Sequence, residues 1–169
     1  SSSIRDIFYR IELQKEPKKI LQQIITFFRT EIPIHLAISE MPSLYMDKDK
    51  IKQVFINILK NAIKYSYKES YRRRQIEIYY KSPDESDTKQ HEIRFVNYGI
   101  GILKEDKDRI FELYKRGKNA SDYGGSPSGS GMGLYIVKEI MKAHGGDCII
   151  RKLKDPTEIS LIFPKETNQ

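Results

Sequence analysis

Three polar side chains, Asn57, Asn61 and Lys64, recur at helical spacing within the segment 51–66. At about 100° per residue they fall on one stripe of a helix, directly beside an apolar stripe. Asparagine is a mediocre helix former because its amide competes for local backbone groups. Two asparagines in a helix interior therefore favour a functional role for their side chains. Amide oxygens and a lysine could hold a metal ion and a phosphate. The pattern is typical of a helix that borders a cleft, although an ordinary solvated helix face would also carry these residues.

A second candidate site is the segment NYGIGI, residues 97–102, which follows a predicted strand. Gly99 and Gly101 allow a tight turn and a close approach of the backbone to a ligand. Asn97 stands at the end of the strand, where its amide could hydrogen-bond the edge of a base. A plain turn between two elements would show the same glycines.

Glycine recurs at Gly129, Gly131 and Gly133, immediately before and inside the first turn of a predicted helix. Backbone N–H groups at a helix N-terminus form a cradle for phosphate. A flexible linker entering a helix is the alternative, but glycine in a helix costs up to ~1 kcal/mol relative to alanine, so its repetition favours function. The pattern lacks the Gly-Lys-Ser/Thr of a P-loop and the parallel βαβ unit of a dinucleotide-binding fingerprint.

The segment IFELYKRG, residues 110–117, places two basic side chains just before a stretch rich in Gly, Ser and Asn. Lys115 and Arg116 could reach a terminal phosphate, or they could be solvated surface charges. The stretch 117–130 consists largely of turn-forming residues and contains a proline, so we expect it to be mobile.

Alternating and helical patterns predict the elements that must position these residues. Asp47 is the expected N-cap of the helix that carries the two asparagines. In chain order the predicted elements are a strand over 8–16, a helix that Pro17 opens and Ile32-Pro33 ends, a strand over 34–38, an extended piece over 44–46, the helix over 51–66, strands over 75–80 and 91–96, a short helix over 107–115, a helix over 131–143 closed by Gly145 and Gly146, and strands over 148–153 and 158–163. The segregation of helices and antiparallel-type strands predicts a single α+β domain with helices on one face of a mixed, mostly antiparallel sheet.

Size and composition suit a soluble globular domain. The chain has 169 residues, 38% of them hydrophobic, and it contains no apolar run of membrane-spanning length. One cysteine, Cys148, excludes an internal disulfide and an all-cysteine metal cage, which fits a reducing compartment. The net charge of +7 fits nucleic acid, phosphate ligands or an acidic partner, but the charges are dispersed except at Arg72, Arg73 and Arg74, so most are expected to be solvated surface.

Taken in order, the motifs resemble those of one family. The chain is similar to the catalytic, ATP-binding domain of sensor histidine kinases, within the superfamily that includes gyrase, heat-shock chaperone ATPases and mismatch-repair ATPases. The resemblance covers about Phe8 to Phe163, and its matching segments are QVFINILKNAIKYS (N box), NYGIGI (G1 box), IFELYKRG (F box) and GSGMGLYIVKEIMKAHGG (G2 box). It implies a Bergerat-type α/β sandwich over 8–164 with an ATP lid at about 117–130, and we expect 1–7 to be a disordered or artificial start.

The resemblance also implies roles for individual residues. Asn61 would be the Mg²⁺ ligand, and Asn57 would lie one turn earlier, beside the phosphates. Arg116, at the end of the F box, would neutralise the γ-phosphate during transfer. The remaining residues expected to bind ATP are Lys64, Tyr65, Asn97, Gly99, Gly101, Ile102, Lys115, Gly129, Gly131, Gly133 and Leu134.

Two positions bear on how this chain would handle ATP. The G1 box of the family normally begins with an aspartate that accepts a hydrogen bond from the adenine amino group, whereas this chain has Asn97. Its amide lacks the stronger charged acceptor, so weaker or less selective nucleotide binding is expected. Hydrolysing relatives carry a water-activating glutamate where this chain has Asn57, and because an amide cannot act as that base, slow hydrolysis is expected.

The resemblance implies partners that the sequence itself does not contain. The segment His91-Glu92-Ile93-Arg94 looks like a phosphoacceptor motif, but it falls in a predicted strand and no Thr-Pro follows. We therefore expect the γ-phosphoryl to pass to a histidine on a separate dimerisation and phosphoacceptor domain, with a response regulator downstream. The domain would be cytoplasmic, would contact neither nucleic acid nor a membrane, and would not autophosphorylate alone; sensor and membrane segments would lie upstream.

Two other functions are compatible with the same boxes. A serine anti-sigma kinase shares them but phosphorylates a protein hydroxyl. A degenerate, non-catalytic nucleotide-binding module would also fit, because Asn97 replaces the usual aspartate. Nucleic-acid binding rests only on the net charge of +7 and the run Arg72-Arg73-Arg74.

Overall fold

The computed structural model describes residues 17–44, 46–112 and 133–165. Its elements are α1 (Pro17–Phe28), β1 (Ile34–Ala37), α2 (Lys48–Lys64), β2 (Ile76–Lys81), β3 (His91–Asn97), a short 3₁₀ turn (Lys104–Asp106), α3 (Gly133–Ala143), β4 (Asp147–Lys152) and β5 (Thr157–Phe163). The predicted strand over 8–16 and the predicted lid over 117–130 lie outside the described residues.

The strands form one sheet in the order β1-β2-β3-β5-β4. β1 runs parallel to β2, and the other neighbours are antiparallel. Side chains alternate across the sheet, so that Ile78, Phe95 and Leu161 lie on the face that forms the core with the helices. The predicted α+β class with a mixed, mostly antiparallel sheet is confirmed.

Helix α2 forms the centre of the core. It buries the stripe Ile51, Val54, Phe55, Ile58, Leu59 and Ala62. Asp47 caps it as predicted, because its carboxylate accepts hydrogen bonds from the backbone N–H groups of Asp49 at 3.0 Å and Lys50 at 3.1 Å. The helix ends at Lys64 and not at Ser66, since the Ser66 backbone pairs with Gly99 and its hydroxyl donates to the Ala62 carbonyl at 2.6 Å.

Helix α3 ends as the glycines predict. Gly145 has φ of +80°, its N–H donates to the Lys142 carbonyl at 2.9 Å, and the Gly146 N–H donates to the Met141 carbonyl at 2.8 Å. This is the Schellman pattern, which satisfies carbonyls that the last helical turn leaves open.

The predicted short helix over 107–115 is wrong for its described part. After the 3₁₀ turn, the N–H groups of Arg109 and Ile110 both donate to the Asp106 carbonyl, and Glu112 donates to Arg109. This mixture of short hydrogen bonds gives successive turns and no α-helix. Of the extended piece predicted over 44–46, the structure describes Leu44 and Met46, which are buried outside the helices and strands.

His144 joins the end of α3 to the start of α2. Its Nε2 accepts the Asp47 backbone N–H at 3.1 Å, and its Nδ1 lies 2.8 Å from the Ile140 carbonyl. This arrangement requires a neutral ring with its proton on Nδ1. Burial lowers the pKa of His144, which is in keeping with the neutral form.

Among the described helices, none combines the length and the apolar character needed to cross a membrane.

Candidate functional site

A cleft opens between the C-terminal half of α2, the ends of β3 and β5, and the start of α3. Its walls are mainly apolar, and the polar side chains that reach it are few. The described lining residues are Ile58, Asn61, Ala62, Tyr65, Phe95, Asn97, Gly101, Ile102, Ile110, Leu134, Thr157 and Ile159. Apolar walls with a few well-placed polar groups are typical of a small-molecule site.

Asn97 and Thr157 form the polar floor at the sheet end of the cleft. They are direct partners in the β3–β5 register, so their side chains lie on the same face. The Thr157 hydroxyl donates to the Leu153 carbonyl at 3.0 Å. Throughout the described ranges, no hydrogen bond to the Asn97 side-chain amide is found. The floor therefore presents one oriented hydroxyl and one amide that is open to a ligand.

The turn after β3 is fixed to the end of α2. The Ile100 N–H donates to the Tyr65 carbonyl at 3.1 Å, and the Tyr67 N–H donates to the Tyr98 carbonyl at 3.0 Å. A Cβ at Gly99 would lie 1.8 Å from the Tyr65 carbonyl oxygen. Gly99 is thus required by contact between two pieces of protein backbone, whereas the sequence suggested close approach to a ligand.

Gly101 is needed for a different reason. Its φ is +76°, and a Cβ there would lie 2.7 Å from Lys154 side-chain carbons. The next residue, Ile102, donates its N–H to the Leu153 carbonyl at 2.8 Å. The turn is therefore held on one side by α2 and on the other by the β4–β5 connection, so both Asn97 and the lining residues after it are placed by backbone contacts.

The two asparagines of α2 face the start of α3. The Asn57 side-chain amide donates to the Gly133 carbonyl at 3.5 Å, and a Cβ at Gly133 would lie 4.0 Å from Nδ2 of Asn61. A helix N-terminus carries partial positive charge and free N–H groups, which attract anions. Asn61 also lines the cleft, so amide groups and a helix start meet at its mouth.

The structure brings most of the predicted site residues together. Lys64 lies at the edge, with Nζ 5.4 Å from the centroid of the Tyr65 ring. Six of the predicted residues line the cleft, namely Asn61, Tyr65, Asn97, Gly101, Ile102 and Leu134. Asn57, Gly99 and Gly133 support it from behind or at its mouth, and Lys115, Arg116, Gly129 and Gly131 lie outside the described residues.

Thr157 is a lining residue that the sequence did not suggest. It begins β5 in an ordinary strand pattern, TEISLIF, and nothing local distinguishes it from other strand threonines. Only the register that sets it opposite Asn97 brings it to the floor. The apolar walls at Ile58 and Ile159 were likewise indistinguishable from ordinary core positions.

Comparison with known sequences agrees with this geometry. The family model for histidine kinase-, DNA gyrase B- and HSP90-like ATPases matches residues 46–167. The sensor histidine kinase WalK of Bacillus subtilis is 34% identical over 128 residues, covering 73% of this chain and 19% of WalK. The sensor protein VanSC of Enterococcus gallinarum is 39% identical over 124 residues, covering 73% of this chain and 31% of VanSC. The chain thus spans less than a third of the length of these relatives.

Solved structures show the same fold. The mycobacterial sensor histidine kinase MprB superposes with a TM-score of 0.65 at 20% identity, over 86% of this chain and 95% of that structure. A catalytic domain of the histidine kinase ThkA superposes with a TM-score of 0.68 at 21% identity, over 92% of this chain and 95% of that domain. With the match of the family model, these findings show that the chain belongs to the histidine kinase-, DNA gyrase B- and HSP90-like ATPase family.

Proposed function

We propose that this chain is the catalytic ATP-binding domain of a two-component sensor histidine kinase. It would bind Mg-ATP and donate the γ-phosphoryl group to a histidine on a separate dimerisation and phosphoacceptor domain. The observation that carries the proposal is the polarity of the cleft, which offers a polar floor at Asn97 and Thr157, apolar walls, and amides facing a helix start at its mouth. The proteins WalK and VanSC, both named as sensors, support it.

The floor end suits the base. A purine has two apolar faces and a polar edge, so its faces would lie against walls such as Ile58 and Ile159, and its edge would meet Asn97. Tyr65 lines the same part of the cleft and would lie along the ring. Such a pocket gains affinity from apolar burial and specificity from the few polar groups at its end.

The mouth suits the phosphates. Asn57 and Asn61 on α2 face the start of α3, where a helix N-terminus favours negative charge. We propose that Gly133 and Leu134, together with Gly129 and Gly131, surround the phosphates.

Mg²⁺ fits this donor set. It prefers oxygen ligands, keeps several waters and is often held through the phosphates of its substrate, so a single protein amide is a sufficient share. Among the described residues, no group of three or more His, Cys, Asp or Glu side chains could hold a metal ion. Asn61 would supply the protein oxygen, and the ion would neutralise charge on the phosphate oxygens.

The described part of the cleft offers no base that could activate water. None of its described lining residues is a carboxylate or a histidine, and Asn57 at its mouth bears an amide, which does not take up protons at neutral pH. Phosphoryl transfer depends mainly on positioning and charge neutralisation. The chain would therefore hold ATP with little hydrolysis until an acceptor histidine arrives, with Lys64, Lys115 and Arg116 contacting the phosphates during transfer.

The acceptor domain would belong to the same kinase, and a response regulator would receive the phosphoryl group next. Such a domain would work in the cytoplasm, without nucleic acid and without touching a membrane itself. The numerous sensor proteins among the relatives support this placement.

Calorimetric titration with ATP, with and without Mg²⁺, tests the proposal. Asn61→Ala should weaken Mg-ATP binding at least about tenfold, because a contact between an amide oxygen and a cation is lost, and should change metal-free binding much less. Lys60→Ala is the matched control, since Lys60 is exposed on the same helix and does not line the cleft. Wild-type affinity in Asn61→Ala, or rapid ATP hydrolysis by the wild-type chain, would contradict the proposal.

A further inference from the structure

The position of Asn97 is fixed while its amide remains free to turn. It ends β3, with backbone partners Ile76 on one side and Thr157 on the other. The turn that follows it is held by backbone hydrogen bonds on both sides. Within the described residues the side-chain amide has no hydrogen-bond partner, so nothing there chooses between its two orientations.

An amide presents a donor and an acceptor side by side, and a half turn about its last torsion exchanges them. The adenine edge offers an amino donor at position 6 and an acceptor nitrogen at position 1. A 6-oxopurine, such as hypoxanthine or guanine, offers the reverse: an acceptor oxygen at position 6 and an N–H donor at position 1. The two orientations of one asparagine therefore match both edges with two hydrogen bonds each.

A carboxylate at this position would behave differently. Ionised aspartate only accepts hydrogen bonds, so it can meet the adenine amino group but would oppose the 6-oxo oxygen with negative charge. A site that leaves a polar group facing the wrong partner rejects that ligand strongly. Asn97 removes this source of rejection.

The hydroxyl of Thr157 gives the cleft a moderate preference for adenine over a 6-oxopurine. Its hydroxyl proton is directed to the Leu153 carbonyl at 3.0 Å, so the hydroxyl offers an acceptor to the floor. That acceptor favours an amino group over an oxo group beside Asn97. Because a hydroxyl can rotate at the expense of one hydrogen bond, the bias falls short of exclusion.

We propose that this cleft binds 6-oxopurine nucleoside triphosphates as well as ATP, and that Asn97 sets this relaxed purine selectivity. The proposal rests on the proposed function, since it takes the base to lie at the Asn97 end of the cleft. It adds a second class of phosphoryl donor to the same site.

The test compares ATP with inosine triphosphate, which carries an oxo group and a ring N–H in place of the adenine amino group and bare nitrogen, with no added bulk. Affinities are measured calorimetrically with Mg²⁺ for the wild-type chain, Asn97→Asp and Asn97→Ala. The wild type should bind inosine triphosphate within about tenfold of ATP, and Asn97→Asp should widen that ratio at least about tenfold further. Asn97→Ala should weaken both nucleotides and leave their ratio close to the wild-type value.

The outcomes separate the two proposals. ATP binding by the wild type with the ratio already as wide as in Asn97→Asp would overturn the selectivity proposal alone. Failure to bind ATP at all would overturn the proposed function and this proposal with it. If Asn97→Asp does not fold, as judged by circular dichroism, the wild type decides: a preference for ATP of more than about tenfold overturns the proposal. Guanosine triphosphate, measured in parallel, reports whether the 2-amino group also fits.

Discussion

Strand β3 carries two polar side chains with opposite surroundings. Glu92 lies near its start on the sheet face away from the helices, and Asn97 ends it on the helix face. Glu92 is completely buried and is bonded by several groups of the chain, whereas no bond to the Asn97 amide is found in the described ranges. The difference shows how a polar group that serves the fold can be told from one that is open to a ligand.

The surroundings of Glu92 satisfy its carboxylate. Ser86 donates to it at 2.7 Å, Ser160 also donates, and the guanidinium groups of Arg94 and Arg151 approach it at 2.9 and 2.8 Å. Burial alone would raise the pKa of Glu92, but the hydrogen bonds from the two serines and Arg94 outweigh it and lower the pKa. No acceptor capacity is left over for a ligand.

Removing Glu92 should give the largest effect. Glu92→Ala leaves two largely buried arginines without their shared carboxylate, which should reduce the free energy of unfolding by about 4 kcal/mol in urea titrations. Asn97→Ala should change it by no more than about 0.5 kcal/mol, because no bond within the described chain is lost.

Asp87→Ala is the control for charge. The Asp87 carboxylate bonds Arg151 at 2.7 Å but is 70% exposed, so its loss should cost far less than that of Glu92. Equal losses for Glu92→Ala and Asn97→Ala would break the distinction between the two ends of β3.

Two glycines of the site differ in the same way, because Gly99 is required by the fold and Gly133 lies at the mouth of the cleft. Gly99→Ala should destabilise the chain by about 3 kcal/mol, because the new Cβ would meet the Tyr65 backbone, which cannot give way as a side chain could. Among the described residues, a Cβ at Gly133 meets nothing closer than Nδ2 of Asn61 at 4.0 Å, and Gly133 is the first residue of α3, so Gly133→Ala should leave stability unchanged or improve it by up to ~1 kcal/mol. It should still weaken ATP binding by adding a methyl group at the mouth of the cleft.

Thermal unfolding and calorimetric titration of both glycine variants check these outcomes. A stable Gly99→Ala, or a Gly133→Ala that binds ATP as the wild type does, would show that the assignment of one glycine to the fold and the other to the ligand is wrong.

The smallest effect concerns pH. Both ring nitrogens of neutral His144 are hydrogen-bonded, and burial lowers the pKa of His144 in the folded chain. The stability that it contributes is therefore fully present above its unfolded pKa of about 6.5 and is lost as the pH falls from there through the folded value. The advantage of the wild type over His144→Ala in urea unfolding should shrink between about pH 7.5 and about pH 5.

Burial also lowers the pKa of His91. Because the wild type and His144→Ala both contain His91, the difference between their unfolding free energies excludes its contribution. Protonation of His144 should change the affinity for ATP only slightly, because His144 contacts the start of α2 and the cleft lies at the C-terminal end of that helix. A difference in stability that stays constant over this range would contradict the prediction.

The features that the sequence could predict depend on residues only a few positions apart. Asp47 caps α2 through atoms two and three residues away, and the glycine pair after α3 closes it through its own last turn, so both features were readable from short segments. The same holds for the alternation in β2 to β5 and for the stripe of asparagines on α2. The predicted family, whose motifs lie in such local segments, is confirmed by the match of the family model to residues 46–167.

Most features that the sequence could not predict depend on contacts between residues far apart in the chain. The partners of Glu92 come from the loop before β3 and from β4 and β5, and Thr157 reaches the cleft only through its register with Asn97. The segment 107–115 is a different case, because its pattern is helical and the hydrogen bonds that make turns of its described part are local ones, which the pattern did not indicate. The contact of Gly99 with the Tyr65 backbone is also a distant one, because Tyr65 belongs to another element, and the sequence did not indicate it.

The bridge between Ser66 and Gly99 also has a consequence for the order in which the site assembles. It closes a segment of more than thirty residues that contains all of β2 and β3. Closing such a segment costs chain entropy, so we expect the bridge to form after α2 and the β3–β5 ladder. We therefore expect the turn beside the floor of the cleft to be fixed late in folding and to open early in partial unfolding, so that a nucleotide bound against this turn favours molecules in which the bridge is closed.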